Sequence, residues 1–320
     1  MKFLKKEEKT HIIKLKNRIN KMINIIRINK MYRDELKENI TNKLKIKELP
    51  EEVKISTITL TCKMNIEFNV ENIAKNIDLN PKCIVKVSHG QNNDKSTNRS
   101  IIIDKKKRRE NKQKKIFYNQ VTICVKVVSK EENPVNVKVF SNGSIQMTGC
   151  KTIDNIIETF EQIFSELIKE KTFIKLKNKT NENLNDKSNK INDKTEDKTN
   201  EKIEDKTNEK IEDKMEEIKL ERINRIQIDM INSCFKIPFK INRDKLYQKL
   251  MKDKYKCTYN PSIHACVNIK YNNEEKTISI FVFEKGSILI TGAKNCEDIL
   301  QAYNFINPYL LINYDNIVIK

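Results

Sequence analysis

Hydrophobic and polar positions alternate with period two over several short runs, and the order of those runs is written twice. One strand-like run is "VKISTITLTCKMNI" from Val53, and its counterpart is "IQIDMINSCFKIPFKI" from Ile226. Helical spacing follows around Val70–Ile77 and Arg243–Met251. Each helix stops before an Asn-Pro pair, Asn80-Pro81 or Asn260-Pro261, because a residue preceding proline is pushed out of the helical region. Two alternating strands come next, "QVTICVKVV…VNVKVF" and "HACVNIKY…TISIFVF". The segments "FSNGSIQMTGCK" (Phe140–Lys151) and "FEKGSILITGAK" (Phe283–Lys294) then agree at seven of twelve positions and hold four of the chain's five glycines. Glycine frames a tight turn between short strands there. Both copies close with an amphipathic helix. In the first, Ile153, Ile156, Ile157, Phe160, Ile163, Phe164, Leu167 and Ile168 share one face.

This duplication divides the 320 residues into four regions. Residues 1–50 form a basic, partly helical N-terminal extension, and residues 51–170 carry the first repeat. Residues 171–220 include "EDKTNEKIEDKTNEKIEDK", too poor in apolar residues to fold alone, and read as a charged, disordered or transiently helical linker. Residues 221–320 carry the second repeat. The Asn-Pro pairs lie 180 residues apart but the hairpin phenylalanines only 143, so the first copy holds about 37 additional residues between Pro81 and Phe140. They centre on a basic run near 89–117, readable as a localisation signal, a phosphate-binding arm or a solvated loop extension.

Period-two alternation separates the faces of each sheet. In the second copy Ile278, Ile280, Val282, Ile288 and Ile290 face the core, whereas Thr277, Ser279, Phe281, Phe283, Leu289 and Thr291 face outward. In the first copy Val135, Val137, Val139, Ile145 and Met147 are core, and Asn136, Lys138, Phe140, Gln146 and Thr148 are outward. An outer face mixing aromatics, threonines, amides and lysines is expected of a binding surface. Two such faces side by side suit a quasi-twofold partner, and duplex DNA is one.

The net charge of +19 and pI of about 9.4 strengthen that expectation, since a polyanion is the natural partner of so basic a chain. None of the eight cysteines forms a C-x-x-C pair, and several sit in alternating apolar runs, so they read as reduced core residues. No nucleophile–base arrangement, metal-ligand spacing or phosphate-loop motif occurs, so an enzyme, a metal and a cofactor are not expected. The start, "MKFLKKEEKT", lacks the apolar core of a signal peptide, and no run approaches membrane-spanning length. A soluble intracellular protein is expected.

The paired F-x-x-G-S-I-x-x-T-G-x-K segments, the Asn-Pro turns, "STITLTCK" and "INSCFKIPFKI" together resemble the TATA-box-binding protein (TBP) family over about residues 51–170 and 221–312. The resemblance implies an α+β fold: two direct pseudo-symmetric repeats, helices packed on a curved antiparallel sheet, forming a TBP-like saddle. A lysine-, asparagine- and isoleucine-rich, divergent core suggests a copy from a large DNA virus or an AT-rich protist. The resemblance also implies a mechanism: the saddle's underside lies in the DNA minor groove and apolar wedges unstack base steps, which bends the duplex.

Carried over residue by residue, Phe140 and Phe283 match wedges, with Phe281 beside them, and Thr148 and Thr291 match groove-floor hydrogen-bonding positions. Gln146, Leu289, Ile55 and Ile231 fall on neighbouring floor positions, and Lys126, Lys151, Lys270 and Lys294 on basic ones. A second wedge position reads His264 in the second copy, and in the first copy either Gln120 or Ile84. The positions that present an asparagine in the family read Val53 and Asp229, and a carboxylate is unfavourable against the acceptor-only floor of A·T pairs.

The implied function is a transcription-initiation factor that binds double-stranded, AT-rich promoter DNA. It would recruit basal transcription factors and the RNA polymerase machinery through hairpin tips near Ser129–Pro134 and Asn272–Lys276. The nucleus or a viral factory in host cytoplasm is the implied compartment. The alternative is a TBP-like scaffold that has lost DNA readout and works through protein partners.

Overall fold

The computed structural model describes residues 30–45, 48–90, 96–102, 117–129, 133–174, 218–273 and 276–319. Residues 30–44 form helix α1. The first repeat contains β1 (Lys54–Lys63), α2 (Val70–Asn76), β2 (Ile84–His89), β3 (Thr97–Ser100), β4 (Gln120–Val125), β5 (Val135–Phe140), β6 (Ser144–Cys150) and α3 (Ile153–Leu167). The second contains β7 (Asn224–Lys236), α4 (Arg243–Lys252), β8 (Cys257–Thr258), β9 (Cys266–Asn273), β10 (Lys276–Phe283), β11 (Ser287–Ala293), α5 (Cys296–Ile312) and α6 (Tyr314–Ile317).

All the strands join one antiparallel sheet of eleven, in the order β3-β2-β4-β5-β6-β1-β7-β11-β10-β9-β8. The two first strands, β1 and β7, pair with each other, so the junction of the repeats is the middle of a continuous curved sheet. This arrangement is the expected α+β saddle of two pseudo-symmetric repeats.

The core lies on one side of this sheet. Every residue read from the alternation as inward, namely Val135, Val137, Val139, Ile145, Met147, Ile278, Ile280, Val282, Ile288 and Ile290, is fully buried. The closing helices cover that side: α3 buries Ile156, Ile157, Phe160, Ile163, Phe164 and Leu167, and α5 buries Ile299, Ala302, Ile306 and Leu310. Each fully buried large apolar side chain contributes roughly 1.5–3 kcal/mol, so these rows dominate the stability of the sheet. Both helices start with a reciprocal cap, Thr152 with Asn155 and Asn295 with Asp298, the same device at matching positions.

Three regions differ from the sequence reading. The segment between Pro81 and Phe140 adds strands β2 and β3 at the sheet edge, giving the first repeat six strands instead of about five. Arg99 on β3 fixes this addition, donating to the carbonyls of Ala74, Lys75 and Ile77 at the end of α2, where helix carbonyls otherwise lack partners. The rest of the basic run, residues 91–95 and 103–116, lies outside the described residues.

The ends of the 171–220 segment belong to the core, since Phe173, Ile174 and Ile218 are buried, while 175–217 lie outside the described residues. The N-terminal extension contributes Leu36, Ile40 and Leu44 to the core. It also reaches both repeats: on α1 Arg33 pairs with Glu161 and Lys37 with Asp154 of α3, and Lys45, just past α1, pairs with Glu297 of α5.

Candidate nucleic-acid interface

The face of the sheet opposite the helices is built row by row from cross-strand neighbours. In the first repeat Thr122, Lys138, Gln146, Thr61 and Gln227 lie directly opposite one another from β4 to β7. Beside them run Cys124, Asn136, Thr148, Thr59 and Met230. In the second repeat Asn268, Phe281, Leu289 and Cys234 make one row, and Lys270, Ser279 and Thr291 another. Directly opposed residues share a face, so these rows form one surface spanning both repeats. Its two halves differ: Lys138 and Gln146 in the first repeat stand where Phe281 and Leu289 stand in the second.

Phe140 and Phe283 end the strands β5 and β10 and are half-buried. Each starts a turn closed by a glycine N–H, Gly143 to the Phe140 carbonyl and Gly286 to the Phe283 carbonyl, both at 3.0 Å. Both glycines are left-handed, with φ of 85° and 79°. Phe140 also lines a concavity of about 420 Å³ with Thr61, Lys63, Asn142, Gln146 and Arg225. A second concavity, of about 600 Å³, lies between Glu51, Glu52, Lys54, Cys234, Lys236 and Ser287 at the matching end of the other repeat. Lys63 and Arg225 make the first hollow basic, which suits phosphate oxygens at its rim, whereas Glu51 and Glu52 offset Lys54 and Lys236 in the second.

Several polar atoms at the centre of this face are buried without a hydrogen-bond partner: Thr57 Oγ1, Thr59 Oγ1, Asn232 Oδ1 and Asp229 Oδ2, with Asn268 Oδ1 further out. Asp229 keeps one bond, accepting from Thr61 Oγ1 at 3.1 Å.

Of the residues proposed from sequence, Phe140, Phe281, Phe283, Gln146, Leu289, Thr148, Thr291 and Lys270 all lie on this face. Lys270 Nζ donates to Ser279 Oγ at 2.7 Å within it. Lys126, Lys151 and Lys294 directly follow the last residues of β4, β6 and β11. His264 is exposed in the turn after Pro261, with its N–H bonded to the Asn260 carbonyl.

Two proposed floor residues are on the wrong side. Ile231 is fully buried and Ile55 packs against the helix-side core. The cause is a pair of β-bulges: Ser56 and Thr57 together face Asn232, while Asp229 and Met230 together face Thr59. Each bulge adds one residue and resets the alternation, so a count carried through it lands on the opposite face. The bulges also correct the matching of the repeats. Asp229 corresponds to Ser56, not Val53, which is buried ahead of β1.

The sequence reading missed Phe117 and Tyr118, both more than half exposed just before β4. Gln120 lies opposite Phe140 and Cys266 opposite Phe283, which makes Tyr118 the counterpart of His264 and Phe117 that of the exposed Ile263. Neither Gln120 nor Ile84 holds that place. The signal was legible in the β4 alternation, once it is extended two residues back from Gln120.

Among the described residues no helix is long and apolar enough to cross a membrane, and no group of three or more His, Cys, Asp or Glu side chains is arranged to hold a metal ion. A curved antiparallel sheet backed by helices on one side and open on the other, written twice in one chain, is a TBP-like saddle. Residues 225–311 match the family model described as transcription factor TFIID (or TATA-binding protein, TBP). A "TATA-box-binding protein-like" protein of Acanthamoeba polyphaga mimivirus is 40% identical over 280 residues, covering 83% of this chain and 67% of that protein. The solved structure of Methanococcus jannaschii TBP is 14% identical, covering 80% of this chain and 95% of that one, with a TM-score of 0.44. The chain belongs to the TATA-box-binding protein-like family, as a divergent member of viral type. The family is one of non-enzymatic DNA-binding transcription factors.

Proposed function

We propose that this protein is a transcription-initiation factor that lays the open face of its sheet in the minor groove of AT-rich promoter DNA. Phe140 and Phe283 wedge between base steps at the two ends of the contact and kink the duplex. Thr148 and Thr291 supply hydrogen bonds to base edges, and Lys270 with the lysines around the hollows meets phosphates. The bent complex then recruits basal transcription factors and the RNA polymerase machinery, in the nucleus or in a viral factory, without catalytic chemistry of its own. The observation that carries this reading is one continuous sheet face, opposite the helices and spanning both repeats, built of strand-paired threonines, amides, lysines and aromatics.

The test is a titration of a labelled AT-rich duplex with the full chain across a range of salt concentrations. Saturable binding that weakens linearly in log–log form with salt is expected. No binding even at low salt refutes it.

A second reading has Asp229 in its favour, because a carboxylate on this face opposes a polyanion. Under it the protein is a TBP-like scaffold without DNA readout. Alanine at Phe140 and Phe283 separates the two: a scaffold keeps all its partners and has no DNA binding to lose.

A further inference from the structure

We infer that the two repeats contact DNA by different chemistry: the second, through Phe281 and Leu289, excludes G·C pairs, whereas the first, through Lys138 and Gln146, accepts them. The inference rests on the minor-groove reading above and assigns its base selectivity to one half of the face.

Lys138 and Phe281 hold the same place in the two repeats, just before the turn phenylalanine on the same face, and Gln146 and Leu289 hold the matching place on the next strand. Lys138 lies opposite Gln146 and Phe281 opposite Leu289, and all four are partly exposed. Next to Phe140 the surface is therefore polar, with Thr122, Lys138 and Gln146 side by side. Next to Phe283 it is apolar, with Phe281 and Leu289 between Asn268 and Cys234. Lys270, the cation of that half, is held by Ser279 one row away. The hollows at the two ends divide in the same sense: Lys63 and Arg225 flank Phe140, whereas Glu51 and Glu52 offset the lysines of the other.

Every base pair shows acceptors in the minor groove, and only G·C adds a donor, the guanine 2-amino group. Pressed against Phe281 and Leu289, that amino group loses its water and gains no partner, which weakens binding about tenfold or more. Under the first repeat, Gln146 Oε1 and the Thr122 hydroxyl can accept from it. Lys138 Nζ donates to the acceptors that both kinds of pair present. A nearly symmetric protein built this way reverses on a palindromic site and places a lone G·C pair under its first repeat. Only G·C pairs in both halves leave it no permitted orientation.

The test uses the full chain and fluorescence anisotropy at fixed salt, with a self-complementary run of A·T pairs closed by G·C flanks. One G·C pair is placed at each position of one half in turn, and then at the symmetry-related positions of both halves. At one or more positions the single replacement should cost at most about twofold, the loss of one of two equivalent orientations, while the double costs about tenfold or more. Inosine·C in both halves lacks the 2-amino group and should restore the A·T affinity. Lys138→Phe with Gln146→Leu should make the single replacement cost about tenfold. Phe281→Lys with Leu289→Gln should erase the loss on the double one, and circular dichroism shows that each variant folds. A single replacement that already costs about tenfold in the parent chain means that both halves exclude G·C, and overturns the inference. So does a double replacement without loss, a loss that inosine·C retains, or a folded variant that keeps the parent's pattern. Each of these leaves minor-groove binding standing. Failure to bind any duplex overturns the minor-groove reading itself, and this inference with it.

Discussion

Gly143 lies directly under the backbone of Ile66: a Cβ added to it would stand 2.2 Å from the Ile66 carbonyl oxygen and 2.5 Å from that of Met64. The second repeat repeats the relationship, with a Gly286 Cβ 2.6 Å from the carbonyls of Ile237 and Phe239. Met64 and Ile237 donate their N–H groups to these same glycines at 2.9 Å. Backbone packs on backbone here, and the turn thus fixed also ends the strand that carries Phe140 or Phe283.

Gly143→Ala and Gly286→Ala should each destabilise the fold by about 2 kcal/mol or more, from the left-handed φ together with a clash against backbone that cannot rotate away. Urea denaturation measures this. A loss below half a kcal/mol at either site would show that the turn can move.

Arg99 ties the added β2–β3 hairpin to α2 by supplying donors to three carbonyls at the helix end. Arg99→Ala should cost about 1–2 kcal/mol and raise amide exchange in β3 and the last turn of α2. The β5–β6 and β10–β11 hairpins should keep their protection, because they do not depend on this edge.

Burial pushes the Cys62 thiol up from 9.0 to about 12, and burial with the nearby Glu166 carboxylate pushes Cys83 to about 11. In the unfolded chain these thiols ionise near pH 9, whereas in the folded chain they hold their protons. Stability should therefore fall as pH rises from about 9 to about 12, since the unfolded state binds fewer protons over that range. Urea midpoints at pH 8 and pH 10.5 test this, with Cys62→Ala expected to show a shallower loss than the parent. Identical slopes would place the alkaline loss elsewhere.

Ile40 is fully buried, on an α1 that carries two ion pairs to α3. Ile40→Ala should cost about 2–5 kcal/mol, whereas Lys37→Ala, which breaks an exposed pair, should cost under about 1 kcal/mol. Equal effects would mean that α1 is held by charge and not by packing.

The duplication, the order of elements and the two faces of each hairpin were legible because alternation has a period of two and the inward rows are purely aliphatic. Val137 beside Lys138, and Ile280 beside Phe281, leave little ambiguity. The middle of the sheet was not legible. The bulges at Ser56 and Asp229 each insert one residue without any glycine or proline to announce it, and so Ile55 and Ile231 were read onto the wrong face. Strand β3, "TNRS", has no apolar alternation and exists through pairing with β2 and the reach of Arg99. Phe117 and Tyr118 adjoin a basic run whose composition masks them. The expected partner sites at the β4–β5 and β9–β10 tips fall partly on residues 130–132 and 274–275, outside the described residues.

The most direct measurement is the end-to-end distance of a doubly labelled AT-rich duplex, followed by fluorescence energy transfer as the full chain is added. The expected result is a saturable rise in transfer, reporting a bent duplex, that is lost with Phe140→Ala and Phe283→Ala together while the circular dichroism spectrum is unchanged. An unbent duplex at saturation, or a bend indifferent to both phenylalanines, would contradict minor-groove wedging by this face.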